Sequence, residues 1–400
     1  MKKILSVILL FAMLLTFFAA CGDNGEDGES KNEEQQQAQE TEKPKDVKKT
    51  FTPDSVKPTV KQLREYCYAH MEKMSQIEWT TPQTIDLQEK ITKGLIYEPG
   101  KTYTGMPYTY TNKEYEAFLS RVDDKGVYQG PYDINTAIGN TCSSSVTACW
   151  TRVDKNAKMI NTPKMTPVLQ DWIVPVGEYS YTSDDNATEL IIARNKAEVI
   201  YEAYTHLEFA DVVVAAGGDM WKETGHTRLV KENHVERTAT GKVKPGNSYI
   251  VTLEQTNSFD KDAKKGVNTT WYVEHKYTYT DLYLKCYIPI TLKSFTEEPA
   301  PLDAKVSDFP TAKTVTSGKL RGTIDSNYFI ETVKLEIINA ETDEVATSCE
   351  YSCLNYFFSF VDKPVPEGLG ELAKGEYLCR ISLKTSGGEG AIYGYYFNVK

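Results

Sequence analysis

Basic charge is in short supply in this chain. Lys and Arg number 45 against 56 Asp and Glu, a formal net charge of −11 at pH 7. No clustered basic face is left to meet phosphates, which excludes a nucleic-acid binder. Histidine is scarce too: only His70, His206, His226, His234 and His275 are available as imidazole bases. No metal or cofactor is expected. The cysteines lack the dense spacing of a disulfide scaffold. Most of Cys67, Cys142, Cys149, Cys286, Cys349, Cys353 and Cys379 are expected to pack as small apolar groups, and a pair among the last three is open to oxidation. The two similar α/β lobes of a solute receptor are also missing. The apolar run over 4–20 is shorter than the twenty or so residues that span a bilayer.

That run follows Lys2 and Lys3 and ends in small residues, the pattern of a secretory signal peptide. Phe18-Ala19-Ala20-Cys21 resembles the lipobox of bacterial lipoproteins. The resemblance implies cleavage before Cys21 and a diacylglycerol on its sulfur, worth about 0.8 kcal/mol per buried methylene. The expected location is the extracellular face of the cell membrane, reached through that lipid anchor. Residues 22–50 are Glu, Gln, Lys, Asp and Gly with scarcely an apolar side chain, so they read as a flexible tether.

The remaining residues exceed what one core usually serves. Thr59-Val60-Lys61-Gln62 after Pro58 predicts a capping box, and apolar residues then recur at helical spacing to Ile77. Thr111-Asn112-Lys113-Glu114 predicts a second capped helix, through Phe118, and a third is expected over 195–207. Beyond it the period shortens. Strands are expected at 212–215, 227–231, 248–253, 270–279 and 284–292, rich in Val, Ile, Thr and Tyr. Helices followed by antiparallel strands predict an α+β arrangement. After Pro299 the pattern is strand only, with candidates at 320–324, 333–338, 356–360, 375–383 and 393–399. Such a stretch predicts an all-β immunoglobulin-like sandwich. The expected division is a signal peptide at 1–20, a lipidated Cys and disordered tether at 21–55, a helix plus catalytic domain at 56–298 and the sandwich at 299–400.

Three pieces carry chemistry. Gly139-Asn140-Thr141-Cys142-Ser143-Ser144 leads into a helical run and sets Cys142 in its first turn. Unpaired backbone donors and the helix dipole there favour a thiolate. The backbone N–H of Cys142 or Ser143 is a candidate oxyanion donor. Gly225-His226 opens a strand, so among the five histidines His226 is best placed as the base. Glu254-Gln255 ends the next strand, and alternation lets only one of the two face the imidazole and orient it.

Taken in order, Cys142-Ser143, Asp211-Val212, Gly225-His226 and Glu254-Gln255 resemble the papain-like cell-wall peptidases of the NlpC/P60 and CHAP group. Tyr103-Thr104-Gly105-Met106-Pro107-Tyr108 resembles the tyrosine-glycine segment ahead of that family's cysteine, and the likeness extends over about 94–292. Thr141, Ser144 and Ala210 stand where the pattern has Asp, Gly and Gly, and the longer Cys142–His226 spacing implies an insertion at 159–186. The resemblance implies a papain-like fold with an antiparallel sheet and hydrolysis of amide bonds in peptidoglycan stem peptides. Cys142, His226 and Glu254 would be catalytic, with Ser143, Tyr103 and Gln255 at the substrate or oxyanion position. The alternative is a catalytically inactive papain-like lipoprotein that serves as a wall-binding or structural module.

Overall fold

The computed structural model describes residues 49–217, 225–309 and 319–400. The signal peptide, the Cys21 anchor and most of the tether fall outside those residues. Helix α1 (Val60–Gln76) starts where Thr59 caps Gln62 N–H and the Gln62 side chain returns to the Thr59 backbone. Its inner stripe, Leu63, Cys67, Met71 and Met74, is buried. Two short antiparallel pairs follow, β1 (Glu78–Thr80) with β4 (Thr102–Thr104) and β2 (Ile85–Asp86) with β3 (Ile96–Tyr97). Helix α2 (Tyr115–Leu119) lacks its expected cap. Glu114 is the N-cap and makes no side-chain bond there. The Thr111 hydroxyl is drawn off to the Ala137 carbonyl at 3.0 Å, a tertiary partner that outcompetes the local one.

Helix α3 (Cys142–Trp150) is buried over its whole length. A serine-rich helix tolerates this because its hydroxyls bond back to the preceding turn. Ser145 donates to the Cys142 carbonyl at 2.9 Å and Thr147 to that of Ser143 at 2.8 Å. Strand β5 (Ile173–Pro175) comes next, then α4 (Thr188–Arg194) and α5 (Ala197–Tyr204), with Ile200, Ala203 and Tyr204 inward. Strands β6 (Val212–Ala216), β7 (Gly225–His234), β8 (Tyr249–Gln255) and β9 (Trp271–Thr278) match four expected strands. The fifth is shorter. A Thr278–Asp281 capping box starts α6 (Tyr279–Leu284), which delays β10 to Ile288–Leu292. These strands form one antiparallel sheet in the order β5-β10-β6-β7-β8-β9. Helix α3 lies on β7 and β8, and α1 packs on α3.

The C-terminal residues form β11 (Ala304–Ser307), β12 (Thr323–Asn339), β13 (Val345–Ser359), β14 (Gly375–Thr385) and β15 (Gly388–Val399). All five belong to one antiparallel hydrogen-bonded sheet. The strands expected at 320–324 and 333–338 are two halves of β12, whose register shifts between Asp325 and Ile330. The described chain is therefore α+β with antiparallel sheets, and mostly β.

Two hydrophobic cores, one under the six-stranded sheet and one in the C-terminal sheet, lie within a single contact unit, Lys49–Lys400. Side chains join them: the Arg152 guanidinium sits 4.8 Å over the Phe329 ring, and the Tyr356 hydroxyl donates to the Thr151 carbonyl at 2.9 Å. The segment ahead of α1 runs along β15. There Asp54 N–H donates to the Ala391 carbonyl at 2.8 Å, and a Cβ at Gly394 would fall 2.7 Å from the Phe51 ring.

Candidate active site

Cys142 is the first residue of α3, and its position is fixed from both sides. Thr141 caps the helix, accepting from Ser144 N–H, while the Ser144 hydroxyl accepts from Thr141 N–H at 2.8 Å. Ahead of the cap, Gly139 presses so closely on the Pro107 carbonyl that a Cβ would lie 2.1 Å from it. That approach lets 107–109 bond to Asn140, with Asn140 N–H donating to the Pro107 carbonyl and Thr109 N–H to the Asn140 carbonyl. Gly105, at φ +82°, is equally constrained, since a Cβ there would collide with the Trp271 indole. The Met106 carbonyl accepts from the Trp271 indole and the Gln255 amide, each at 2.9 Å. Tyr108 is thus delivered to Cys142: its phenol reaches the thiol and accepts from the Cys142 backbone N–H. Burial, then the nearby thiolate charge, holds that phenol far above its usual range, so it stays neutral.

His226 stands near the start of β7 and Glu254 near the end of β8. The register pairs Leu229 with Leu253, which sets Glu254 beside Arg228 and diagonally across from His226. His226 Nε2 bonds Glu254 Oε2, and Cys142 hydrogen-bonds the imidazole. With Nε2 engaged, Nδ1 is the nitrogen left for the thiol. The other carboxylate oxygen, Oε1, accepts from the Tyr277 hydroxyl at 2.6 Å and the Thr252 hydroxyl at 3.3 Å. Glu254 is wholly buried, whereas the His226 side chain keeps 22% of its surface exposed. Thr162 Oγ1 lies 3.6 Å from Cys142 Sγ, and Thr227 N–H also donates to the sulfur.

Electrostatics follow from these contacts. Burial pushes the Cys142 thiol up, but the hydrogen bond and charge of His226, with help from Thr162 and Thr227, outweigh it and leave the thiol below its ordinary value. Burial also works against an imidazolium at His226, yet the Glu254 charge and the thiol raise it to about 9. Glu254 is held at about 2, because His226, Arg228 and Tyr277 overcome its desolvation. The contacts thus favour the thiolate, imidazolium and carboxylate forms together. Such a thiolate is a nucleophile with a proton donor beside it.

No protein-family model, curated protein or solved structure matches the chain. Among the described residues no group of three or more His, Cys, Asp or Glu side chains could hold a metal ion, and no helix is long and apolar enough to cross a membrane.

Of the residues singled out from sequence, Cys142, His226 and Glu254 come together. Ser143 follows Cys142, its side chain buried with its hydroxyl 3.4 Å from that of Thr141. Gln255 faces away from His226 and holds Met106, so it positions the Tyr108 segment. Tyr103 is elsewhere: its hydroxyl accepts from Glu98 N–H at 2.6 Å, and its ring packs on Trp79, Tyr97 and Phe259. The tyrosine at the thiol is Tyr108, from the same segment. Asp211 binds Arg64 at 2.6 Å and ties α1 to the sheet. The stretch at 159–186 contributes β5 to the sheet and Thr162 to the thiol. Thr162, Arg228 and Tyr277 were not legible as site residues, since each joins the site by tertiary contact, and Tyr108 was legible only as the last residue of the tyrosine-glycine segment.

Proposed function

We propose that the chain is a cysteine hydrolase, a peptidase or amidase of papain-like type. The observation that carries this reading is the hydrogen-bonded line Cys142, His226, Glu254, with the thiol at a helix start and the imidazole turned to it by a carboxylate on its other nitrogen. Thiolate attack forms a C–S bond to an amide carbonyl. His226 then passes its proton to the leaving amine, and water hydrolyses the thioester with His226 as base. The Ser143 backbone N–H is the donor nearest the carbonyl oxygen as it gains charge, joined by the Cys142 backbone N–H and the Tyr108 phenol once they exchange their mutual bond for it.

The resemblance to NlpC/P60 and CHAP peptidases supports peptidoglycan stem peptides as substrate. The lipobox-like Cys21 supports a lipoprotein held on the outer face of the cell membrane, and an immunoglobulin-like wrap of the C-terminal sheet is the matching reading of that module. The test is incubation of the full-length chain with muropeptides and product analysis by mass spectrometry. New amine and carboxylate ends that disappear in Cys142→Ser support the reading. Unchanged muropeptides alongside retention of the protein on intact wall would favour the inactive wall-binding module.

A further inference from the structure

Arg228 has no part in the nucleophile–base pair, yet it is built into the same buried volume. Its side chain is 8% exposed, and its Nε lies 2.9 Å from Glu254 Oε2, the oxygen that also takes His226. That contact is one of charge rather than alignment, for Nε and Nη1 lack hydrogen-bond partners. The guanidinium carbon sits 4.0 Å from the centroid of the Tyr277 ring and 4.3 Å from that of Tyr287. Two aromatic faces thus clamp the cation, a geometry that suits a planar guanidinium best and still admits an ammonium.

A count of charges gives this clamp a purpose. The active form holds two buried anions, the Cys142 thiolate and the Glu254 carboxylate, against one imidazolium. An uncompensated buried anion is costly, and the site would take up a proton instead. The titratable groups facing this volume are His226 on β7, Glu254 on β8, Tyr277 on β9, Tyr287 just ahead of β10, Cys142 on α3 and Tyr108 beside it. All the tyrosines are held neutral by burial. We propose that Arg228 is the second cation of the site, a positioning residue that keeps Glu254 ionised and fixed on His226 so that the imidazolium remains available to the thiolate.

The proposal rests on the cysteine-hydrolase reading, and a titration separates the two. The thiolate midpoint of Cys142 is read from ultraviolet absorbance and from alkylation rate against pH, in the full-length chain with Cys142→Ser as blank. Arg228 touches Glu254, and removing its positive charge leaves the buried site one charge more negative, which disfavours the Cys142 thiolate and raises its midpoint. Arg228→Met is therefore expected to move the Cys142 midpoint up by about one unit, giving about tenfold slower alkylation at neutral pH. Arg228→Lys, which keeps the charge, is expected to hold the wild-type midpoint even if the melting temperature falls. An unshifted midpoint in a folded Arg228→Met overturns the proposal and leaves Arg228 a structural clamp. If Arg228→Met does not fold, Arg228→Lys decides alone, and a shift of about one unit there contradicts the charge role. A wild-type Cys142 that titrates like free cysteine sinks the hydrolase reading itself.

Discussion

His226 meets Glu254 through Nε2, and that choice of nitrogen leaves Nδ1 to the Cys142 thiol. The carboxylate cannot turn away, because its two oxygens are held by His226, Arg228, Tyr277 and Thr252. Its task is to fix the ring and favour the imidazolium, not to receive the proton.

Replacing Glu254 with Gln removes the charge that raises His226 to about 9. The imidazolium midpoint then falls toward its ordinary 6.5, and the alkaline limb of hydrolysis moves to lower pH with it. The neutral-pH rate is expected to drop about tenfold, less than the roughly 10² to 10⁴ expected for His226→Ala. A pH–rate profile checks this, and an alkaline limb that stays in place would remove Glu254 as its source.

Stability carries the same signature. His226 binds its proton more tightly when folded, so its contribution is complete below 6.5 and is lost as pH rises through about 9. Glu254 is depressed, so its contribution is complete above 4.5 and is lost as pH falls through about 2. In Cys142→Ser, which removes the thiol's opposing titration, denaturant unfolding across pH is expected to show the pair's full contribution between 4.5 and 6.5. The further change to Glu254→Gln is expected to remove the acid slope and most of the alkaline one.

Thr141→Ala removes the side-chain half of the capping box, the bond accepted from Ser144 N–H, and is expected to cost about 1 kcal/mol by denaturant titration. Thr141→Asp still caps the helix but sets a carboxylate beside the thiol. Its Cys142 midpoint is expected to rise, giving slower alkylation at neutral pH with little loss of stability.

Arg152 is 5% exposed between Glu114 and Glu116 and stacks on Phe329 of the C-terminal sheet. Arg152→Met is expected to cost about 2 kcal/mol, below the roughly 3–5 of a fully buried pair, because both carboxylates keep some contact with water. Calorimetry of 49–400 checks it: the C-terminal sheet is expected to loosen first.

Much of this was written locally in the chain. The capping box at Thr59, the alternation that separates Glu254 from Gln255 and the Gly-His opening of β7 each follow from nearest neighbours. Ala210 shows how a departure from a pattern can keep its geometry: it holds φ +65°, the left-handed conformation a glycine would favour, where the resemblance has Gly. Thr141 and Ser144, the other two departures, are partners in one capping box, so the change at one is matched by the other. What sequence could not show came from afar. Tyr108 rather than Tyr103 reaches the thiol because Gly105, Met106 and Gly139 fix the path between them. Thr111 loses its cap to Ala137 for the same reason, a partner distant in sequence.

The central claim is that Cys142 and His226 form a thiolate–imidazolium pair, and site-resolved alkylation tests it most directly. The chain is treated with a small alkylating reagent across pH, and labelling of each cysteine is followed by peptide mass spectrometry in wild type and in His226→Ala. Burial pushes up the Cys149, Cys286, Cys353 and Cys379 thiols. Cys142 is therefore expected to label before these, with a midpoint below 9 that is lost in His226→Ala. Labelling of Cys142 no faster than free cysteine, or at an unchanged rate without His226, would contradict the account.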